Sequence, residues 1–304
     1  MRFNPLKVFR KHAREFYELS FPYFQKLGFH LTPNHYYWPI PDTRKLKDDL
    51  WLKNSALVGI DMNYEGQLEL LSRFLSFKKE FTAFPRKKTS IPYEYHVNTG
   101  YFESIDASIL YSMVRYFKPK RILEIGSGFS TYLSAQALTK NKENHDECEL
   151  TVIDPYPNAT IRGGFPGLSR VILKEVQDVD LTEFEKLNSN DILFIDSSHV
   201  LKLGGDVQFL FLEVLPRLNK GVFVHFHDIF LPENYPREWT LQKYMFWTEQ
   251  YLLQAFLTFN DAYKVVWAGN YIYRKFPEEL KTAFNLVWKQ KGIGPGSFWL
   301  KKMK

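Results

Sequence analysis

The sequence has one cysteine, Cys148, in 304 residues. A single thiol excludes an internal disulfide framework and a zinc site built from thiolates. It fits a reducing compartment. No apolar run approaches the ~20 residues that a membrane-spanning helix needs. The opening stretch, MRFNPLKVFRKHAREFYELSF, has charges but no apolar core of signal-peptide length. The expectation is a cytoplasmic protein with no membrane span. Charge of one sign is also scarce. The net charge is +6, and the basic residues are dispersed apart from short runs such as PRKKT (85–89) and KKMK (301–304). Such dispersion reads as a solvated surface, so no nucleic-acid partner is expected. Internal repeats and low-complexity segments are absent.

What is present is the balance of an ordinary globular protein, 45% hydrophobic and 24% charged. Aromatic residues are abundant at 17%, which suits pockets or packed aromatic faces. The length suits one large α/β domain, or one domain with a smaller extension. The pattern changes near residue 100. Residues 1–100 read as an accessory helical segment expected to cover the acceptor side of the core. In it, 7–27 is helical with Phe9, Phe16, Tyr17 and Phe21 as a packing face, 31–46 is an aromatic, proline-broken loop, and 66–81 has helical apolar spacing. Residues 101–304 form the main domain.

From Arg121 onward, short apolar runs alternate with helical stretches. Strands are expected at RILEIG, ELTVID, RVILKEV, DILFID, GVFVHFH and YKVVWAG, with a weaker one at SFWLKK. Helices are expected at 130–139, 182–188, 206–218, 239–258 and 277–290. Buried strands alternating with helices predict a Rossmann-like, doubly wound α/β fold with a mostly parallel seven-stranded sheet. In such sheets ligands bind beyond the carboxyl ends of the strands.

Those ends carry the chemistry. EIGSGFST places Glu124, Gly126, Ser127, Gly128 and Ser130 between the first strand and a helix. Glycines there let backbone approach a ligand. A dinucleotide fingerprint requires a third glycine where Thr131 stands. An acidic residue before the first glycine suits a cationic or amine-bearing ligand instead. Asp154 ends the second strand, where a carboxylate can take both ribose hydroxyls. Gln177 and Asp178 end the third. Asp196 ends the fourth, with His199 three residues on, and VHFHDIF ends the fifth with His227 and Asp228. The fourth and fifth ends should converge, which makes Asp196, His227 and Asp228 a candidate set for a divalent cation, with His199 as a general base. Alternation along the strand puts His225 and His227 on one face and Asp228 on the other, and His225, which lies deeper in the strand, is expected behind the ligands.

EIGSGFS resembles the acidic-x-G-x-G-x-G signature of class I S-adenosylmethionine-dependent methyltransferases, with Ser130 at the last glycine. The resemblance extends over about residues 30–275 through NHYYWPIPDTRKL, YFESIDASILYSMVRYFKPKRILEIGSGFST, FIDSSHVLKLGGDV and HFHDIFLPENYP. It is to an uncharacterised bacterial group related to metal-dependent O-methyltransferases of natural products and sugars. It implies S-adenosylmethionine as cofactor, with Asp154 on the ribose and the Gln177–Asp178 position near the adenine amino group. It also implies a D-x-x-H segment, here Asp196 to His199, giving a metal aspartate and a base; by ligand chemistry the carboxylates suit Mg or Mn and the imidazole tilts toward Fe. The family's acidic pair at the next strand end is replaced by His227-Asp228. A small-molecule acceptor and O-methylation are expected, and a homo-oligomer stays open. A nicotinamide-dependent oxidoreductase and a non-catalytic S-adenosylmethionine-binding protein are the alternatives.

Overall fold

Seven short apolar runs become seven strands. They are β1 Arg121–Ile125, β2 Glu149–Ile153, β3 Arg170–Ile172, β4 Ile192–Ile195, β5 Phe223–Phe226, β6 Tyr263–Ala268 and β7 Phe298–Lys302. The computed structural model describes residues 5–143, 147–284 and 293–304. The strands form one sheet in the order β3-β2-β1-β4-β5-β7-β6. All pairs are parallel except those of β7, which runs antiparallel to β5 and β6. The expected doubly wound α/β fold is the observed one.

Strand periodicity divides the core between the two faces of the sheet. Ile122, Leu150, Val152, Ile192 and Phe194 join one cluster with Leu71 and Phe74 of the helix Tyr64–Phe74, Leu110 and Met113 of Ser104–Phe117, and Leu133 of Phe129–Lys142. Leu123, Ile125, Ile153, Leu193 and Ile195 face the other way. They meet Val207 and Leu210 of the helical stretch Asp206–Arg217, and Leu253 and Leu257 of the helix Glu249–Leu257. Neighbouring residues of one strand point to opposite faces, so an uninterrupted apolar run is what a sheet covered on both sides requires. Each fully buried Leu or Phe stabilises the fold by roughly 1.5–3 kcal/mol.

Several expected elements differ. The helix expected over 239–258 is two helices, Arg237–Leu241 and Glu249–Leu257. Tyr244, between them, has φ +55°, which a right-handed helix cannot carry. The third strand stops at Ile172, so Gln177 and Asp178 lie on a 3-10 turn, Val176–Asp178, rather than at a strand end. The helix expected over 277–290 is seen as Pro277–Ala283, and residues 285–290 lie outside the described ones. The helices Ser104–Phe117 and Gly269–Lys275 had no counterpart in the sequence reading.

The boundary also moves. The chain forms two units: the described part of Met1–Lys53 with Arg237–Phe246, and Asn54–Pro236 with Trp247–Lys304. Residues 54–100 group with the sheet and not with the leading segment, because Leu70, Leu71, Phe74, Phe81 and Tyr95 are buried in its core. In the smaller unit, the helix Pro5–Lys26 sets Tyr17 edge-on to Trp38 at 4.8 Å and Phe21 stacked on His30 at 4.8 Å. Phe16, expected on the same packing face, is exposed, and the Phe9 side chain lies outside the described ones. Among the described residues, no helix is long and apolar enough to cross a membrane.

Candidate active site at the carboxyl ends of the strands

The parallel ladder continues one residue past each central strand. Gly126 N–H donates to the Ile153 carbonyl at 3.0 Å, and Asp154 N–H to Ile172 at 3.1 Å. Asp196 N–H donates to Ile125 at 3.0 Å, and His227 N–H to Ile195 at 3.0 Å. These four residues are therefore held in a row by main chain before any side chain contributes. The row crosses the point between β1 and β4 where the strand order reverses, the usual ligand crevice of such sheets.

On the β1 side, Gly126 has φ +82°, and a Cβ there would lie 2.0 Å from the Asp196 carbonyl oxygen. Only glycine lets the two chain segments approach so closely. The Ser127 hydroxyl donates to the Asp154 carboxylate, whose other oxygen accepts from Tyr156 N–H at 2.7 Å. Ser130 donates to Oε1 of Glu124, and Thr131 turns its hydroxyl back to accept from Gly128 N–H at 3.0 Å. Glu124 is fully buried, and among the described residues no donor meets its Oε2 with hydrogen-bond geometry. Burial pushes its carboxyl up to about 8. Gln177 is half-buried and donates to Glu175, and Asp178 is exposed.

On the β4–β5 side, the loop after Asp196 is pinned when Ser198 donates its N–H and hydroxyl to Asp206 at 2.7 and 2.6 Å. This brings His199 back over the strand end. Its Nε2 lies 3.3 Å from Asp196 Oδ1 and 3.8 Å from Asp228 Oδ2. Among the described residues, Asp196, His199 and Asp228 each offer one ligand atom, all within 4.8 Å of one another. His227, expected as the nitrogen ligand, stands beside this group with Nε2 3.8 Å from Asp228 Oδ1 and Nδ1 buried without a partner. The group that comes together thus includes His199 and not His227. Both His199 and Asp228 have left-handed backbone, φ +59° and +55°. Such strain persists where the surroundings over-determine it, and it clusters at functional sites.

The antiparallel strand matters here, because β7 begins where the parallel strands end. Gly296, just before it, lies so close to Asp228 that a Cβ would be 3.0 Å from the Asp228 Cα. Its carbonyl accepts from Ile229 N–H at 2.9 Å. The N–H groups of Gly296 and Ser297 donate to the buried Asp106 at 2.8 and 3.0 Å.

The electrostatics follow from this crowding. Burial pushes the Asp196 carboxyl up, but His227 and His199 outweigh it and hold it at about 2. Burial alone would lower His199, but Asp196 and Glu249 hold the imidazole well above its usual value. His225 goes the other way. Buried against Phe194 at 3.9 Å and bonded through Nε2 to Ser297 Oγ at 3.0 Å, it is held well below its usual value. It is a fully buried residue of β5, deeper along the strand than His227 and Asp228.

Sequence reasoning missed Glu249, Asp106 and Gly296. Glu249 Oε2 lies 2.9 Å from His199 Nδ1 and the residue is fully buried. Its position inside an expected continuous helix gave no sign of this.

Residues 123–229 match a family described as a methyltransferase domain. Over these residues the chain carries a methyltransferase domain. The nicotinamide reading is set aside with that match. A protein of Archaeoglobus fulgidus, described as uncharacterized, is 34% identical over 176 residues, 55% of this chain and 78% of its own length. Among solved structures, the O-methyltransferase from Bacillus cereus in complex with SAH aligns with 13% identity and a TM-score of 0.36, over 78% of this chain and 91% of its own. So loose a likeness assigns neither substrate nor site. The methyltransferase match opens within β1 and closes just after Asp228. It contains every expected site residue and stops short of Glu249.

Proposed function

We propose that this methyltransferase acts on a hydroxyl group of a small molecule, and that Asp196, His199 and Asp228 hold a divalent cation beside it. The observation that carries this reading is the convergence of those three ligand atoms within 4.8 Å, one strand away from Glu124 and Gly126. When bound, S-adenosylmethionine supplies an electrophilic methyl group, and a divalent cation makes a hydroxyl more acidic.

The residues fit both groups. A buried acceptor with no partner is costly. Glu124 Oε2 is such an acceptor, and an ammonium would satisfy it. Asp154 extends past β2 with its carboxylate fixed by Ser127 and Tyr156, which suits ribose hydroxyls. Gln177 and Asp178 are the candidates for the adenine edge. Two carboxylates and one imidazole suit Mg, Mn or Fe. The chain's main contribution to rate is then to hold acceptor and methyl donor in line.

His199 was expected as a general base; as a ligand its Nε2, placed beside Asp196 and Asp228, would give its lone pair to the cation and so would not act as that base. Protein stripped by a chelator, then given S-adenosylmethionine, Mn2+ and a panel of sugars, phenols and amines, tests the reading. Hydroxyl methylation should return with Mn2+. Full turnover by protein that elemental analysis finds metal-free would remove the cation. Methylation of amines alone would remove the hydroxyl.

A further inference from the structure

We propose that Glu249 is the positioning residue of this site: its buried carboxylate accepts the Nδ1 proton of His199 and so turns Nε2 toward the gap between Asp196 and Asp228. The inference rests on the cation reading only for what Nε2 then binds.

Four observations support it. First, Glu249 is fully buried, and among the described residues its one hydrogen-bonded oxygen is the Oε2 that lies 2.9 Å from His199 Nδ1, while Oε1 has no partner there. A carboxylate is seldom taken out of water without a directed partner. Second, the start of the helix Glu249–Leu257 is clamped to the histidine's own backbone. The N–H groups of Thr248 and Glu249 both donate to the His199 carbonyl, at 3.0 and 3.1 Å, and Leu201 N–H donates to Thr248 Oγ1 at 2.8 Å. Third, the Trp247 ring lies against the imidazole at 4.3 Å between centroids. Fourth, His199 sits in left-handed backbone, which a non-glycine residue keeps only when its neighbours impose it.

Three consecutive residues, Trp247, Thr248 and Glu249, thus fix the ring plane, the backbone and the tautomer of one histidine. A ring nitrogen that donates to a carboxylate leaves the other as the lone-pair donor, which is how ligating histidines are oriented. A cation bound by Nε2 would meet a preset lone pair instead of a rotating ring.

The test uses the full-length protein, labelled with 15N-histidine, with His199→Asn assigning the resonance. The wild type should show a downfield, slowly exchanging Nδ1 proton on His199. Glu249→Gln, which keeps an acceptor but loses the charge, should retain it further upfield. Glu249→Ala should lose it. Mn2+ affinity, read by electron paramagnetic resonance, should fall by about 10–100-fold in Glu249→Ala, the usual effect of removing such a partner, and by less in Glu249→Gln. Adenosylhomocysteine affinity should not change. If Glu249→Ala keeps both the proton and the Mn2+ affinity, the carboxylate is only a buried structural group and the proposal is overturned. If Glu249→Ala does not fold, Glu249→Gln decides, and an unshifted proton with unchanged Mn2+ affinity overturns the proposal. A wild type that shows the proton but binds no Mn2+ overturns the cation and leaves the positioning role standing.

Discussion

Binding of adenosylhomocysteine should drive a proton off Glu124. The free carboxyl is fully buried and pushed up to about 8, so at pH 7 about ten molecules in eleven carry the proton there. An ammonium placed on the unpaired Oε2 requires the charged form. The sign follows: the free protein is protonated at this group below about pH 8 and the complex is not, so binding releases protons and weakens as pH falls. The size is about 0.9 proton per ligand at pH 7, and affinity should drop roughly tenfold for each pH unit below 8, or about 1.4 kcal/mol. Above pH 8 it should level off. Calorimetry in buffers of different ionisation enthalpy measures the proton count directly, and Glu124→Gln should abolish it. Binding with no proton exchange, at an affinity constant from pH 6 to 8, would refute the placement of the ammonium on Glu124.

Other outcomes follow from the same geometry. Gly126→Ala should destabilise the protein by more than about 2 kcal/mol in urea denaturation, because the added Cβ meets the Asp196 carbonyl and the backbone is left-handed. Asp154→Ala should weaken adenosylhomocysteine binding by about 1.5–3 kcal/mol and leave Mn2+ binding as it was. Removing residues 1–95 should give aggregated protein in size-exclusion chromatography, since it strips Leu70, Leu71, Phe74, Phe81 and Tyr95 from the core.

The sheet was legible in the sequence because its strands are buried on both faces, which makes each one an unbroken apolar run between breaks. The residues at the strand ends were legible for a related reason. Asp154, Asp196 and Asp228 interrupt apolar runs, and a carboxylate there has to be justified by something other than packing. Glu249 had no such contrast. In TEQYLLQAFL a glutamate beside a glutamine reads as the wet side of an amphipathic helix, and only the fold brings it to a histidine 50 residues away. That His199, and not His227, would fall in with Asp196 and Asp228 was not legible either. It depends on a left-handed turn at His199 and on Ser198 bonding Asp206, and neither leaves a mark in residue type. The boundary expected at residue 100 rested on the lack of strand–helix alternation before it, whereas the helix Tyr64–Phe74 joins the core of that sheet before any strand begins.

The row Asp154, Gly126, Asp196, His227 is spaced by the sheet itself. Neighbouring strands lie about 4.8 Å apart, so the three gaps from β2 to β5 set a backbone ruler of about 14 Å. Its marks do not shift when a side chain changes. A substitution at the β5 mark, where His227 stands, would therefore alter what that end can hold while leaving Asp154, at the far end of the row, in place.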